Sequence, residues 1–235
     1  MGKRGWGSHL ELETKSTVHD VVTKVDKLSE SMLIERIGKC FPNHSVLGEE
    51  SGEHDAHSDY LWVVDPLDGT NNYSQGLPVF CVSVGLQYRG ETLLGVVYAP
   101  YLNELYTAIR GKGAFLNNVP IHVSGKTELD RSVLATGFPY DKGIHPVNNI
   151  DNLSRILPHL RGIRRMGSAA YDLCGVAAGF LDGYWELGLK LWDVCAGVLI
   201  VQEAGGHVEP FREDRGIAIL AGNAGIVEKM KEYIS

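Results

Sequence analysis

Four acidic elements spread along the chain have the residue types needed to bind a hard cation. Asp65 and Asp68 lie three residues apart in the segment D-P-L-D-G-T, directly after an apolar run. Glu49 lies in the segment G-E-E-S, Asp193 begins an apolar stretch, and Asp26 ends the segment T-K-V-D. Carboxylates that lie close together repel each other strongly unless a cation neutralises them. Oxygen donors without a cluster of His and Cys favour Mg²⁺ over Zn²⁺.

Each acidic element, taken alone, also has a purely structural explanation. Asp-Pro and Asp-Gly pairs are favoured in turns, so D-P-L-D-G-T is also compatible with a simple turn. Glu49 is compatible with a solvated loop, Asp193 with a helix cap and Asp26 with an exposed helix position. What favours a site is the shared placement of the acids where regular structure begins or ends, which is where sites gather in α/β folds.

Composition and motifs exclude several classes of protein. The 235 residues carry a net charge of −7, so no global positive field would draw the chain to nucleic acid or to an anionic membrane. The sequence contains no G-x-S-x-G, Walker A or G-x-G-x-x-G motif. Residues 1–9 lack the apolar core of a signal peptide, no apolar run is long enough to cross a membrane, and the four cysteines are scattered. We therefore predict a cytoplasmic protein without a nucleic-acid or membrane partner.

Hydrophobic periodicity predicts the elements that must position these acids. A helix is predicted within residues 20–40, and short β-branched or aromatic runs predict strands at 45–47 and 60–64. Two hairpins are predicted over 79–98 and 105–116. Residues 1–125 are thus expected to form a helix and a mostly antiparallel sheet.

The second half of the chain alternates strands and helices. Ser168 is the predicted N-cap of one helix, and Asp193 is predicted to begin another. We predict an N-terminal α+β lobe over residues 1–130, containing metal-binding acids, and a C-terminal α/β lobe over 131–235 with the second metal and substrate residues. The predicted strands are 133–135, 183–187, 207–210 and 217–221, and the predicted helices are 148–160, 168–178, 193–204 and 224–233.

At these residues the chain resembles the inositol monophosphatase family, which comprises Mg²⁺-dependent, lithium-sensitive phosphomonoesterases. The first family motif, an apolar strand followed by D-P-[IL]-D-G-T, matches residues 64–73. The second, W-D-x-[AC]-[GSA]-[GSA] in a helix that ends E-A-G-G, matches residues 192–206. The shorter G-E-E and D-x-V-T-x-x-D elements match residues 48–50 and 20–26. The match runs in order from about residue 15 to the C-terminus.

The resemblance implies an α/β fold of the sugar-phosphatase type, an α+β layered αβαβα sandwich, with two or three Mg²⁺ ions at the site. One ion would be held by Glu49, Asp65 and the carbonyl of Leu67. A second would be held by Asp65, Asp68 and Asp193, and Glu49 would help to hold a weaker third ion through water. This arrangement suits two-metal phosphoryl transfer, in which the charges of attacking water, phosphate and leaving group are all neutralised.

The resemblance also implies roles in catalysis and substrate binding. Thr70, oriented by Asp26, would position and help to deprotonate the attacking water, with Glu49 as the third catalytic residue. Glu186 would accept hydrogen bonds from substrate hydroxyls, although its position is also compatible with an exposed strand residue. The nearby Arg164 and Arg165 are compatible with an interface or with solvent. The implied substrate-binding residues are Gly69, Thr70, Gly167, Ser168, Ala169 and Glu186.

The activity implied is Mg²⁺-dependent hydrolysis of a phosphate monoester by metal-activated water, with myo-inositol monophosphate as the expected substrate. The same chemistry on fructose 1,6-bisphosphate, histidinol phosphate, NADP or 3′-phosphoadenosine 5′-phosphate stays open, because substrate choice depends on a few contacts. A catalytically idle relative with a binding or regulatory role also stays open. The expected partners are a small phosphorylated polyol and a second copy of the chain in a homodimer.

Overall fold

The structure is a computed structural model that describes residues 12–14 and 21–235, with side chains described from Lys24 onward. Strand β1 (Leu12–Thr14) pairs antiparallel with β2 (Val21–Thr23). The predictions made for residues 1–9, and the position of Asp20 in the D-x-V-T-x-x-D element, lie outside the described residues.

The first half of the chain forms an eight-stranded sheet around one long apolar strand. This strand, β5 (Tyr60–Asp68), pairs parallel with β3 (Ser45–Gly48) and antiparallel with β6 (Cys81–Tyr88). The mostly antiparallel sheet predicted from the hairpins is confirmed, because every other neighbouring pair of strands in this sheet is antiparallel. The remaining strands are β4 (Gly52–His54), β7 (Glu91–Ala99), β8 (Glu104–Ile109), β9 (Ala114–Leu116) and β10 (Val119–Pro120), in the order β10-β9-β8-β7-β6-β5-β3-β4.

The second half forms a five-stranded mixed sheet and most of the helices. Its strands are β11 (Val133–Thr136), β12 (Gly162–Arg164), β13 (Gly183–Leu189), β14 (His207–Pro210) and β15 (Ile217–Gly222), in the order β12-β11-β13-β15-β14. The α-helices are α1 (Lys24–Cys40), α2 (Thr70–Gln75), α3 (Ile150–Ile156), α4 (Ala169–Ala177), α5 (Leu191–Glu203) and α6 (Ala224–Lys231).

Helices and sheets stack in layers, as the predicted α/β sandwich requires. The largest core joins Tyr106 of the eight-stranded sheet to Leu173 of α4, Leu199 of α5 and Ile219 of the five-stranded sheet. The pair α4 and α5 thus lies between the two sheets. Helix α1 packs on the outer face of the large sheet, and α3 and α6 pack on the outer face of the small one.

Helix α5 lies very close to the large sheet, and two glycines permit this approach. A Cβ at Gly85 would lie 2.4 Å from Cys195 Sγ, and one at Gly95 would lie 2.7 Å from the carbonyl oxygen of Ala196. Real side chains do not fit at these distances, so larger residues at either glycine would push the helix away. The close packing sets the height of α5, and therefore of Asp193 at its start, above the sheet.

Several element boundaries differ from the sequence-based predictions. The strand predicted to end at residue 64 continues to Asp68, with an irregular register between Asp65 and Asp68. The short helix α2 was not predicted, and α5 begins at Leu191 rather than at Asp193. The division into lobes at residue 130 stays a prediction, and α4 and α5 of the second half pack against both sheets.

Candidate active site

The ends of two parallel strands bring three of the predicted acids to one edge of the large sheet. Strands β3 and β5 run side by side, with Gly48 opposite Val64, so Glu49 and Asp65 follow at the same level. The backbone N–H of Glu49 donates to the carbonyl oxygen of Val64 at 3.2 Å. Asp68 lies at the far end of β5. Because β3 and β5 are parallel, Glu49 and Asp65 lie side by side although they are far apart in the sequence.

Asp193 joins these acids from the other half of the chain. It lies in the first turn of α5, where its Oδ2 accepts a 2.6 Å hydrogen bond from the backbone N–H of Lys190. We call the cavity that it completes the acid cavity. Its lining includes Glu49, Asp65, Leu67, Asp68, Gly69, Thr70 and Asp193.

Burial and the charges of neighbouring acids raise the pKa values of two of these carboxyl groups, Asp65 and Asp193. Burial raises the pKa of Asp65 well above its usual range, and the charges of Glu49, Asp68 and Asp193 raise it further. Burial also raises the pKa of Asp193, with a further contribution from Asp68. Positive charge in the acid cavity would relieve this cost, as would protonation.

The donor chemistry of the acid cavity fits a hard cation such as Mg²⁺, because carboxylate and carbonyl oxygens are its preferred ligands. Among the residues from 24 onward, however, no three His, Cys, Asp or Glu side chains are already gathered into a cluster that could hold a metal. Hydrogen bonds direct the carboxylates instead. Asp65 Oδ1 accepts from the N–H of Leu67 at 3.0 Å, and Asp68 Oδ2 accepts from Ser168 Oγ and the N–H of Ala170, both at 2.7 Å.

Thr70 and Asp26 meet as the sequence resemblance implies. Thr70 Oγ1 donates a hydrogen bond to Asp26 Oδ1 at 2.9 Å and lies 3.0 Å from the carbonyl oxygen of Leu67. Asp26 is fully buried near the start of α1. Gly69 precedes Thr70 with a φ of +95°, and a Cβ there would lie 3.0 Å from the carbonyl oxygen of Val79. Glycine is therefore needed for the sharp turn from β5 into α2.

Four of the six implied substrate residues line a second cavity, which we call the alcohol cavity, whereas Gly69 and Thr70 line the acid cavity. The alcohol cavity adjoins the acid cavity, since Asp68 and Asp193 line both. Its other lining residues include Gly167, Ser168, Ala169, Asp172 and Glu186.

Ser168 occupies the N-cap position of α4, which confirms the sequence-based prediction, but its hydroxyl makes no capping hydrogen bond. Its Oγ donates to Asp68 Oδ2 instead. Asp68 Oδ2 also accepts from the backbone N–H of Ala170, so a charged acceptor from the other half of the chain takes the place of a capping side chain.

Glu186 lines the alcohol cavity, and its carboxyl group packs closely against Tyr184 and Gly137. Burial raises its pKa to about 7, although a 2.5 Å hydrogen bond from Tyr184 Oη and the charge of Arg165 lower it. A Cβ at Gly137 would lie 2.1 Å from the carboxyl group of Glu186, so only glycine leaves room for it. Arg165 lines the alcohol cavity, whereas Arg164 ends strand β12 with an exposed side chain.

Glu30 is a buried residue near the site that the sequence analysis missed. Its Oε2 accepts from the N–H of Glu50 and its Oε1 from the N–H of Ser51, both at 2.8 Å. A Cβ at Gly48 would lie 2.6 Å from this carboxyl group. Glu30 therefore fixes the turn that contains Glu49. The available signal was the spacing of four residues from Asp26, which places both acids on one face of α1.

The layered fold and the paired cavities define the class to which the protein belongs: an α/β protein whose acid-lined site lies between two sheets. The chain belongs to the inositol monophosphatase family, whose model matches residues 3–233. None of the described helices is long and apolar enough to cross a membrane.

Individual relatives support the same assignment. The chain is 47% identical over 226 residues to the Nus factor SuhB of Haemophilus influenzae, covering 94% of this chain and 85% of that protein. It is 43% identical over 207 residues to an inositol-1-monophosphatase of Synechocystis, covering 88% of this chain and 72% of the relative. The crystal structure of the extragenic suppressor protein suhB from Bartonella henselae matches with a TM-score of 0.88 and 38% identity, covering 96% of this chain and 88% of that one.

Proposed function

We propose that the protein is a Mg²⁺-dependent phosphoric monoester hydrolase acting on a small phosphorylated polyol, with myo-inositol monophosphate as its preferred substrate. The observation that carries the proposal is the convergence of Glu49, Asp65, Asp68 and Asp193 on one cavity beside the Thr70–Asp26 pair. A merely structural role would not require four acids in one cavity, where burial and the charges of neighbouring acids raise the pKa values of Asp65 and Asp193.

The cation would be held by the residues that line the acid cavity. Glu49, Asp65 and the carbonyl of Leu67 form one donor set, and Asp68 and Asp193 with Asp65 form the second. Two Mg²⁺ ions, or three with a weaker one near Glu49, would neutralise the phosphate and lower the pKa of the attacking water when bound. Lithium sensitivity is expected from the same site.

The Thr70–Asp26 pair would manage the proton of the attacking water. Because Thr70 Oγ1 already donates to Asp26, its lone pairs are free to accept a hydrogen bond from water. A proton taken up at Thr70 can therefore be passed to Asp26 Oδ1. The N–H groups of Gly69 and Thr70, at the turn into α2, would hold phosphate oxygens.

The alcohol part of the substrate would lie in the alcohol cavity. Gly167, Ser168 and Ala169 would border it, and Glu186 would accept hydrogen bonds from its hydroxyl groups. We place the protein in the cytoplasm as a homodimer. We propose no nucleic-acid or membrane partner, because the net charge of −7 gives no attraction to these anionic surfaces.

A second candidate is a binding role that does not depend on catalysis. The observation in its favour is that relatives 43–47% identical to this chain bear the name Nus factor SuhB. Such a role would survive the loss of Asp193, whereas the hydrolase would not.

The test is release of inorganic phosphate from a panel of substrates, with Mg²⁺ and with EDTA. The panel contains inositol 1-phosphate, fructose 1,6-bisphosphate, histidinol phosphate, NADP and 3′-phosphoadenosine 5′-phosphate. We expect Mg²⁺-dependent turnover that is fastest on inositol 1-phosphate. Absence of turnover on every compound, in folded protein that binds Mg²⁺, would favour the binding role.

A further inference from the structure

The alcohol cavity contains a carboxyl group to which the proposed mechanism gives no task. Asp172 lies in the first turn of α4, and only 1% of its surface is exposed. It lines the alcohol cavity, yet its enclosed Oδ1 has no hydrogen-bond partner in the described part of the chain. Buried polar atoms are nearly always hydrogen-bonded, so an exception of this kind requires an explanation.

The local sequence gives no structural reason for the acid. Helix α4 has the sequence A-A-Y-D-L-C-G-V-A, and Asp172 is its only charged residue. Burial raises the pKa of Asp172 well above its usual range, with further contributions from Glu186 and Asp68, whereas Arg165 lowers it. An apolar residue would pack at this position without that cost.

Asp182 provides an internal comparison. Its Oδ1 is also buried without a partner. However, its Oδ2 accepts from Lys126 Nζ at 3.0 Å and from the backbone N–H of Val133 at 2.8 Å. Asp182 lines neither the acid cavity nor the alcohol cavity, and its bonds explain it as a structural residue. Within the described residues, the Asp172 carboxyl group has no such bonds, and it differs from Asp182 in lining the alcohol cavity.

We infer that Asp172 determines substrate specificity: its carboxyl group, at the wall of the alcohol cavity, accepts a hydrogen bond from a hydroxyl or ammonium group on the alcohol part of the substrate, beside Glu186. This inference rests on the proposed function. It adds Asp172 to Glu186 as a second acceptor of hydrogen bonds from the alcohol part of the substrate. Hydrogen bonds from the substrate favour the ionised form of Asp172, which accepts hydrogen bonds but has none to donate, so the substrate supplies the hydrogen.

The charge of the alcohol cavity narrows the substrate class further. Asp172 and Glu186 are acidic acceptors at its wall, and the positive charge nearby, Arg165, has an exposed side chain. A second phosphate on the alcohol would therefore face two carboxyl groups. The preferred substrates are monophosphates rich in hydrogen-bond donors, such as inositol 1-phosphate or histidinol phosphate, rather than bisphosphates or nucleotides.

The experiment compares Asp172→Asn with Asp182→Asn in the full chain with Mg²⁺. The measured quantity is the ratio of kcat/KM for inositol 1-phosphate to kcat/KM for propyl phosphate, whose alcohol has no donor. We expect this ratio to fall at least tenfold in Asp172→Asn, chiefly through KM, and to stay within twofold of wild type in Asp182→Asn. Histidinol phosphate in place of inositol 1-phosphate tests whether an ammonium group is the donor.

A second measurement does not depend on turnover. Myo-inositol together with inorganic phosphate should raise the Tm of the wild-type protein, and this increase should be lost in Asp172→Asn. If Asp172→Asn does not fold, Asp172→Ser serves for the same comparison.

The results separate the inference from the proposed function. An unchanged substrate ratio in Asp172→Asn, or an equal fall in both variants, overturns the inference while the hydrolase assignment stands. Absence of turnover by the wild-type protein overturns the proposed function, and the Tm measurement then decides the inference by itself.

Discussion

Carboxylates accept backbone N–H groups both in the acid cavity and at the turn bound by Glu203, but the consequences for their pKa values are opposite. Glu203, at the end of α5, accepts from the N–H groups of Gly111, Lys112 and Gly113 at 2.8, 3.1 and 2.8 Å. Partial burial raises its pKa, but the three donors, together with the charge of Arg110, outweigh this effect and lower the pKa overall. In the acid cavity, burial and neighbouring acids keep the pKa of Asp65 raised despite its backbone donor.

The difference shows that a hydrogen bond from a backbone N–H to a carboxylate can either stabilise the fold or hold an acid in place in a candidate metal site. Glu203 has no neighbouring acid among the influences on its pKa, so its charge strengthens the junction between α5 and the β8–β9 turn. Asp65 and Asp193 lie among other carboxyl groups, so their ionised forms cost stability until positive charge arrives. Removing a charge should therefore affect the two regions in opposite directions.

The largest expected effect is that of Asp193→Asn in the acid cavity. Loss of one metal-binding carboxylate should lower kcat/KM by about a thousandfold or more, since metal charge stabilisation is worth several kcal/mol. The Tm of the metal-free variant should rise, because one of several repelling charges has been removed. Phosphate release and thermal unfolding measure the two effects, and near-normal turnover would contradict the assignment of Asp193 to a metal.

Addition of Mg²⁺ should reverse the stability cost of the acid cavity. At a concentration of 100 times Kd, binding stabilises the fold by about 2.7 kcal/mol. For a chain of this length, that corresponds to an increase in Tm of roughly 5–10 °C. Thermal unfolding with Mg²⁺ and with EDTA measures this increase in Tm. A Tm that does not change on addition of millimolar Mg²⁺ would rule out the metal site.

The same comparison predicts a pH dependence of known sign. Carboxyl groups with raised pKa values hold more protons in the folded state than in the unfolded state. The free energy of unfolding of the metal-free protein should therefore fall as pH rises from about 4 through 7, the range that includes Glu186 with its pKa of about 7. Denaturant unfolding at several pH values tests this, and Glu186→Gln should reduce the slope. A slope of opposite sign would contradict the raised pKa values.

Glu30 combines features of both regions, so Glu30→Gln sharpens the comparison. The amide can accept at only one of the two positions that now bind Glu50 and Ser51, and the turn carrying Glu49 should loosen. We expect the Mg²⁺ concentration for half-saturation to rise about tenfold, as for other groups that orient metal ligands. Calorimetric titration with Mg²⁺ measures it.

Glu35→Gln is the matched control for Glu30→Gln. Glu35 lies on the same helix but is exposed and pairs with Lys39. Its replacement should leave the affinity for Mg²⁺ unchanged. Equal affinity in both variants would show that Glu30 does not position Glu49.

The smallest effect is expected from Glu203→Gln. Loss of the charged acceptor should lower the free energy of unfolding by about 1 kcal/mol at pH 7, after allowance for its partial exposure. Because its folded pKa is lowered, this contribution is present above the unfolded pKa and is lost as pH falls below about 4. The variant and the wild type should then converge in acid, without any change in affinity for Mg²⁺. A difference in stability that persists at pH 3 would contradict this account.

The sequence by itself determined the family, the order of most elements and the identity of the acids. The motifs around Asp65 and Asp193 are long and rigidly spaced, because a turn or helix start restricts which residues fit, so they can be recognised without coordinates. Strand boundaries near Asp68 and the helix α2 escaped prediction, because the irregular end of β5 depends on its pairing with β6.

Only the tertiary structure decided which polar groups meet across the chain. The contact of Ser168 with Asp68 spans 100 positions, and Asp68, rather than the Ser168 side chain, accepts the N–H of Ala170 at the start of α4. The same holds for Glu30 beneath Glu49 and for Asp172 in the wall of the alcohol cavity. The physical reason is that local patterns encode backbone geometry, whereas burial and long-range hydrogen bonds exist only after the sheets and helices have packed together.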